Sequence, residues 1–130
     1  MKDPRYLNTD LEIDSKEDLT AIAESFGEDV VVMYCGEWGK NNRAAFEVSG
    51  SSIADVNGAI GLFCALIEGL PDDLRGLWDR SFSKTFSVGF ESGDSNSSLE
   101  VRIEPYIVER VAVIGASLTV TLYPVDKNGT

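Results

Sequence analysis

Few side chains in this sequence could do chemistry, and their spacing limits what each could do. The chain has two cysteines and no histidine, so it lacks the commonest general base and metal ligand of proteins. Cys35 lies two residues before Glu37, but a nucleophilic thiol would need a stronger base beside it. Cys64 lies in an apolar run, where we expect a buried side chain. The two thiols form no CxxC pair and are too few for a structural zinc site.

Acidic pairs are the other candidates for chemistry. Asp72 and Asp73 follow a Leu-Pro step, where the free amides of a helix start favour carboxylates, so we interpret them as part of a helix N-terminus. The run from Asp94 begins like a calcium loop, but its sixth position is Leu99 and its twelfth is Pro105, where such loops need glycine and glutamate. The sequence therefore predicts no catalytic residue, no metal site and no cofactor.

The charge of the chain is strongly acidic, with 11 Lys and Arg against 22 Asp and Glu and a net charge of −11. Such a field repels phosphate backbones and anionic lipid headgroups, so we expect neither nucleic-acid nor membrane binding. Residues 10–37 alone hold nine acids and one lysine. This window is typical of a solvated surface, but it also suits a docking surface for a basic protein.

Hydrophobic periodicity predicts the elements that must position these groups. Alternation of apolar and polar residues indicates strands over 6–13, 43–49, 85–91, 99–103 and 118–122. A β-branched run over 30–35 predicts a strand covered on both faces. Helical spacing predicts a first helix capped by Ser15, with Asp18 three residues on, and ended by Gly27. It also predicts a helix opened by Ser52 and Asp55, a short helix over 72–80, and a last helix that starts at Pro105 and ends at Gly115.

The order of these elements is β-α-β-β-α(α)-β-β-α-β, which is typical of an α+β fold. We expect a two-layer ferredoxin-like sandwich, with a mainly antiparallel sheet and helices on one face. The length of 130 residues fits a single domain over 1–130, with an ordered core over about 5–124. One face of the sheet would then remain open to solvent or to a partner.

The C-terminal third resembles a known family. Residues 99–103 (LEVRI), 104–116 (EPYIVERVAVIGA) and 117–123 (SLTVTLY) form a strand, a short helix ending in Gly-Ala and an alternating strand ending in Tyr. This pattern is similar to the ending of a bacterial family of small α+β domains of unknown function, some of them discussed as immunity proteins of toxin systems. The resemblance implies the fold, and it carries no catalytic residue to this chain.

The acidic charge, the open sheet face and the lack of catalytic motifs are the basis for predicting a function. The first hypothesis is a non-catalytic interaction protein, such as an immunity-type inhibitor of a basic partner. The expected contacts are Asp10, Glu12, Glu37, Trp38, Glu47 and Tyr123. One alternative is a small-ligand-binding or metal-assisted enzymatic domain with a pocket between sheet and helices, and another is a homodimer formed through the open face or an edge strand. Two free thiols and the lack of an apolar signal-peptide stretch at the N-terminus predict a cytoplasmic location.

Overall fold

A computed structural model describes residues 1–50 and 55–125 of the chain. The elements are, in chain order, β1 (Arg5–Ser15), α1 (Thr20–Phe26), a 3-10 turn (Gly27–Asp29), β2 (Val30–Trp38), β3 (Asn41–Val48), α2 (Val56–Glu68), α3 (Asp72–Arg80), β4 (Ser83–Glu91), α4 (Pro105–Val113) and β5 (Ser117–Tyr123). The α+β class predicted from the sequence is confirmed.

The five strands form one mixed sheet in the order β2-β3-β1-β4-β5. Three neighbouring pairs are antiparallel, whereas β4 and β5 are parallel. The parallel pair requires a crossover, which α4 supplies. This strand order differs from that of a simple ferredoxin fold, so the ferredoxin-like arrangement predicted from the element order is not the one observed.

The strand predicted over 99–103 is absent, because the chain has no regular secondary structure between β4 and α4. Both edges of β4 are occupied, one by β1 and the other by β5, so no edge remains for a hairpin partner. The segment instead runs past the start of α2. There the Asn57 side chain donates from Nδ2 to the carbonyl of Arg102 (2.8 Å) and accepts from the amide of Glu104 (2.9 Å).

The prediction that residues 30–35 form a strand covered on both faces is also wrong. β2 lies at the edge of the sheet, and the side chains of Val31, Val32, Met33 and Tyr34 are exposed. A run of β-branched residues indicates a strand. It does not distinguish a central strand from an edge strand whose apolar side chains are exposed.

One hydrophobic cluster holds the two layers together. Every α-helix and every strand except β5 contributes at least one buried hydrophobic side chain to it. The sheet supplies Leu11, Ile13, Ala44, Phe46, Phe86 and Val88, all nearly or completely inaccessible to water. These residues alternate along their strands, so the helices cover one face of the sheet and leave the other uncovered.

Local signals fix most helix ends, but the cap predicted for α1 is wrong: Ser15 is the last residue of β1, and α1 begins only at Thr20. Gly27 ends α1 with a φ of 69°, a conformation that glycine adopts without steric cost. The Asp55 side chain accepts from the amide of Gly58 (2.6 Å) and caps α2, while Ser52, the other predicted cap residue, lies outside the described residues. Pro105 occupies the first turn of α4, as the sequence predicts.

Trp78 anchors α3 to the crossover. Its side chain is fully buried, and Nε1 donates to the carbonyl of Ile114 (2.8 Å), just after α4.

Replacing Trp78→Phe should lower the free energy of unfolding by about 2 kcal/mol, because the substitution leaves a buried carbonyl unpaired and a small cavity. Urea denaturation followed by circular dichroism measures this. The exposed Trp38→Phe is the matched control, and a control loss as large as that of Trp78→Phe would contradict the assignment.

Candidate functional site

The uncovered face of the sheet is the candidate site, and alternation along β1 defines it. Leu11 and Ile13 point into the core, so Asp10, Glu12 and Asp14 point to the opposite side. The strand register brings residues of the other strands beside them. We call this surface the open face; it comprises Val31, Tyr34, Trp38, Arg43, Ala45, Glu47, Asp10, Glu12, Asp14, Thr85, Ser87, Thr119, Thr121 and Tyr123.

Three carboxylates lie together at the centre of the open face. Asp10 is directly opposite Glu47 in the β1–β3 register, and Glu12 is two residues further along the same strand. Within the described residues, none of the three forms an ion pair. Like charges directly opposite each other destabilise an antiparallel pair. Burial, together with the charges of Glu47 and Glu12, raises the pKa of Asp10 to about 6.

The β2 side of the open face carries an aromatic cluster joined to a cation. Tyr34 and Trp38 meet edge to face with their ring centroids 5.5 Å apart, and the Arg43 guanidinium carbon lies 4.6 Å from the Trp38 ring centroid. Arg43 also binds Asp14 through two hydrogen bonds, Nε to Oδ1 (2.8 Å) and Nη2 to Oδ2 (3.1 Å). The pairing with Asp14 raises the pKa of Arg43 and fixes the guanidinium between carboxylate and indole.

The β4–β5 side of the open face presents mainly hydroxyl groups, with an ion pair between Arg5 and Glu91 (3.2 Å) at its Tyr123 end. The hydroxyls of Thr85 and Thr119 hydrogen-bond to each other (2.8 Å). At the end of β5 the Tyr123 ring lies across Gly89, since a Cβ at that glycine would lie 3.3 Å from Tyr123 Cε2. The open face therefore changes from aromatic through acidic to hydroxyl-rich across the sheet.

The structure brings together three of the six contact residues expected from the sequence, and places two more on the same face but at opposite corners of the sheet. Asp10, Glu12 and Glu47 form the acidic centre. Trp38 is opposite Asn41, six residues from Glu47 along β3, and Tyr123 is level with Arg5 at the other end of β1. Glu37 is not brought together with them, because it precedes Trp38 in β2 and points to the other side of the sheet.

The acidic window over 10–37 does not form one surface. Glu17 pairs with Arg80 (2.9 Å), and the Asp18 side chain accepts from the amide of Thr20 (2.8 Å) at the start of α1. Other acids of the window lie on α1 and the following turn. The candidate docking surface for a basic protein is therefore not the whole window. It consists of the carboxylates on β1 together with Glu47 on β3.

Two residues of the site were not found from the sequence, Tyr34 and Arg43. Tyr34 is four residues before Trp38 and shares its face, but a register shift between Val32 and Tyr34 interrupts β2. Alternation counted from Val31 therefore places Tyr34 on the wrong side of the sheet. Arg43 faces Asp14 only through the β1–β3 register. A basic residue in one predicted strand and an acidic residue in the next can indicate an ion pair between the two strands. This indication can be used only when the register of the strands is known.

A second feature is an apolar groove of about 540 Å³ on the helix side of β4 and β5. Val88 and Phe90 form its floor, Val120 and Leu122 one wall, and the segment over 92–103 the other. The remaining lining residues are Pro4, Val56, Ser92, Gly93, Leu99, Val101 and Ile103. Ser92 is the one polar side chain of this described lining. The alternative hypothesis expects a pocket between sheet and helices. This groove lies on that side of the sheet, but Val56 is the one helical residue of its described lining.

The other side chains considered for chemistry are a buried thiol and carboxylates that, in the described part of the chain, are not grouped as a metal site requires. Cys64 is fully buried as predicted, and burial raises the pKa of its thiol to about 11. Within residues 1–50 and 55–125, no group of three or more Asp, Glu, Cys or His side chains is placed to hold a metal ion. Among the same residues, no helix has both the length and the apolar character needed to cross a bilayer.

Comparison with known proteins gives no relative for this chain: no family model, no curated protein sequence and no solved structure matches it. Function is therefore inferred from the geometry of the chain itself.

The raised pKa of Asp10 predicts a pH-dependent stability. Between about pH 4 and about pH 6 the folded chain binds more protons at Asp10 than the unfolded chain, whose carboxyl has an ordinary pKa near 3.8. The stability that this carboxyl contributes in its protonated form is therefore lost as the pH rises through that window. Asp10→Asn should remove the loss and raise the free energy of unfolding at pH 7.5 by about 1 kcal/mol, after allowing for solvent screening.

Chemical denaturation at a series of pH values measures the effect. Glu24→Gln, which removes one charge from exposed α1, is the matched control and should leave the pH profile unchanged. Equal pH profiles for the parent chain and Asp10→Asn would show that Asp10 titrates normally.

Proposed function

We propose that this protein is a non-catalytic interaction module that binds a basic protein on its open face, as an immunity-type inhibitor would. The observation that carries the proposal is the trio Asp10, Glu12 and Glu47. These carboxylates occupy the centre of an uncovered sheet face, directly adjacent to one another and without ion pairs among the described residues. Groups that destabilise a fold are typical of positions kept for binding.

A cationic partner would relieve this repulsion. A lysine or arginine placed between Asp10 and Glu47 would meet two carboxylates that already lie side by side, so little reorganisation is needed. The cation would also favour the ionised form of Asp10, whose pKa burial and neighbouring acids raise. Binding would therefore release a proton below about pH 6, and affinity would rise with pH up to about that value and then level off.

The aromatic cluster supplies the second requirement of an interface, an anchor with apolar area. Trp38 is 51% exposed although it is braced by Tyr34 and Arg43, so its ring is both accessible and held in place. Tryptophan and tyrosine side chains in such positions often contribute most of the binding energy. The acidic centre would then provide association rate and selectivity, and Trp38 would slow dissociation.

The test is affinity capture from a lysate of the source organism at low and high salt, followed by titration of the captured protein. The variant Asp10→Asn/Glu12→Gln should weaken binding at least about tenfold, mainly through slower association. The control Glu24→Gln/Glu28→Gln has the same net charge but changes exposed acids of α1 and the next turn, and it should bind normally. Trp38→Ala should weaken binding by a similar factor through faster dissociation.

Three outcomes would contradict the proposal. Equal loss with both double variants would mean that only net charge matters, and binding indifferent to salt would remove the electrostatic basis. Capture of no basic protein at either salt concentration would leave the open face without the partner that the proposal requires.

The apolar groove favours a second candidate function, the binding of a small ligand with an apolar body. Its volume of about 540 Å³ lies within the usual range of ligand sites. Because its described lining has little polarity, it would select a ligand by shape and hydrophobicity and not by charge.

Nile red, a neutral apolar dye, tests this second candidate. The parent chain should bind it with a blue shift in emission, and Val101→Glu should weaken binding at least about tenfold because the new carboxylate would be desolvated in the groove. Val108→Glu, on the exposed side of α4, is the control. Equal dye binding by both variants would exclude the groove as the site.

A further inference from the structure

The last strand of the sheet is unusual because it contributes nothing to the core. β5 lies at the edge of the sheet, and no β5 residue is buried. Val120 is 64% exposed and Leu122 65% exposed, although both point to the helix side of the sheet. Parallel pairing with β4 and packing against α4 hold this strand. Its apolar side chains gain little from folding of the single chain.

β5 also lacks the features that usually protect an edge strand from pairing. A quarter of the residues in this chain are charged, yet Ser117–Tyr123 contains no charged residue and no proline. Its register with β4 runs without interruption from Ser117 to Tyr123. The opposite edge, β2, differs in both respects, since it carries Glu37 and a register shift between Val32 and Tyr34. Of the two edge strands, β5 therefore has fewer features that would prevent pairing with a further strand.

The sequence of β5 specifies which neighbour fits. Residues 118–122 read Leu-Thr-Val-Thr-Leu, a palindrome centred on Val120. In an antiparallel pair related by a two-fold axis at Val120, each residue meets one of its own type: Val120 faces Val120, Leu118 faces Leu122 and Thr119 faces Thr121 of the second copy. Aliphatic and Thr–Thr pairs of this kind stabilise antiparallel strands.

The backbone amides and carbonyls of β5 point in the directions that this pairing requires. The carbonyl of Tyr123 faces β4, where it accepts from the amide of Ser92 (2.8 Å). Backbone groups alternate in direction along a strand, so the amides and carbonyls of Leu118, Val120 and Leu122 face outward. A two-fold axis at Val120 brings these outward groups opposite one another and allows about six hydrogen bonds between the two copies.

We propose that the occupant of this edge is a second copy of the chain, which pairs antiparallel through β5 about a two-fold axis at Val120. The product is a dimer with one continuous ten-stranded sheet, in which Leu118, Val120 and Leu122 of each copy cover those of the other beside the apolar groove. The axis is perpendicular to the sheet, so both open faces point the same way. The inference does not depend on the proposed function of those faces.

The salt dependence distinguishes dimerisation from binding of a basic partner. Each copy carries a net charge of −11, and no charge lies on β5, so the long-range force between copies is repulsive. Added salt screens this repulsion and should strengthen the dimer, whereas it weakens attraction between an acidic face and a cationic protein. Either interaction can therefore fail in experiment without the other.

Size-exclusion chromatography with light scattering, over a range of protein and salt concentrations, tests the proposal. The parent chain should have twice its monomer mass of 14.1 kDa, and the dimer should persist to lower concentration at higher salt. Val120→Lys places two like charges directly opposite at the axis and should raise the dimer dissociation constant at least about tenfold. Val113→Lys, at a 72% exposed position on α4, is the matched control and should dimerise normally.

A second measurement identifies the interface itself. Directly opposite antiparallel residues are within disulfide reach, so Val120→Cys should form a covalent dimer under mild oxidation. Val113→Cys, with the same two native cysteines, should not. A parent chain that stays monomeric at all protein and salt concentrations, or a dimer that survives Val120→Lys and is not crosslinked by Val120→Cys, would overturn the proposal.

Discussion

Burial of Leu11 and Ile13 in the central strand is the constraint on which the rest of this structure depends. Both side chains are completely inaccessible to water and pack beneath the helices. Side chains of a strand alternate between its two faces, so their burial places Asp10 and Glu12 on the uncovered side. The hydrophobic core thus concentrates carboxylates that repel each other. Shifting the register of β1 by one residue would remove the repulsion but would bury the charges, at a far greater cost.

The sheet presents two surfaces whose physical character is opposite. The open face is polar, with an acidic centre and, at one corner, Trp38 held by Tyr34 and Arg43, and its interactions would depend on charge. The β5 edge is uncharged and offers aliphatic side chains and outward backbone groups. Because the proposed two-fold axis keeps the open faces on the same side, self-association through β5 would double the acidic surface without covering it. A basic partner with two matching sites would then gain avidity.

Several elements followed directly from local signals in the sequence. The start of α3 after Pro71, Pro105 in the first turn of α4, the glycine that ends α1 and the alternation in β1 all depend on neighbouring residues, and all are found in the structure. The strand expected over 99–103 failed because strand formation requires a free edge, and β4 offers none. The covered position expected for β2 failed for a related reason, since apolar composition does not specify the neighbours of a strand.

The sequence by itself determined the α+β class, most helix ends and the face of each regular strand on which an acidic or apolar residue lies, because these depend on short-range periodicity and backbone preferences. It also determined the acidity of the chain and the palindrome in β5. Only the tertiary structure decided that Asp10 lies opposite Glu47, that Arg43 joins Asp14 to Trp38, and that β5 is parallel to β4 with its other edge unpaired among the described residues. These relations depend on strand order and register, which are set by packing between segments distant in the chain.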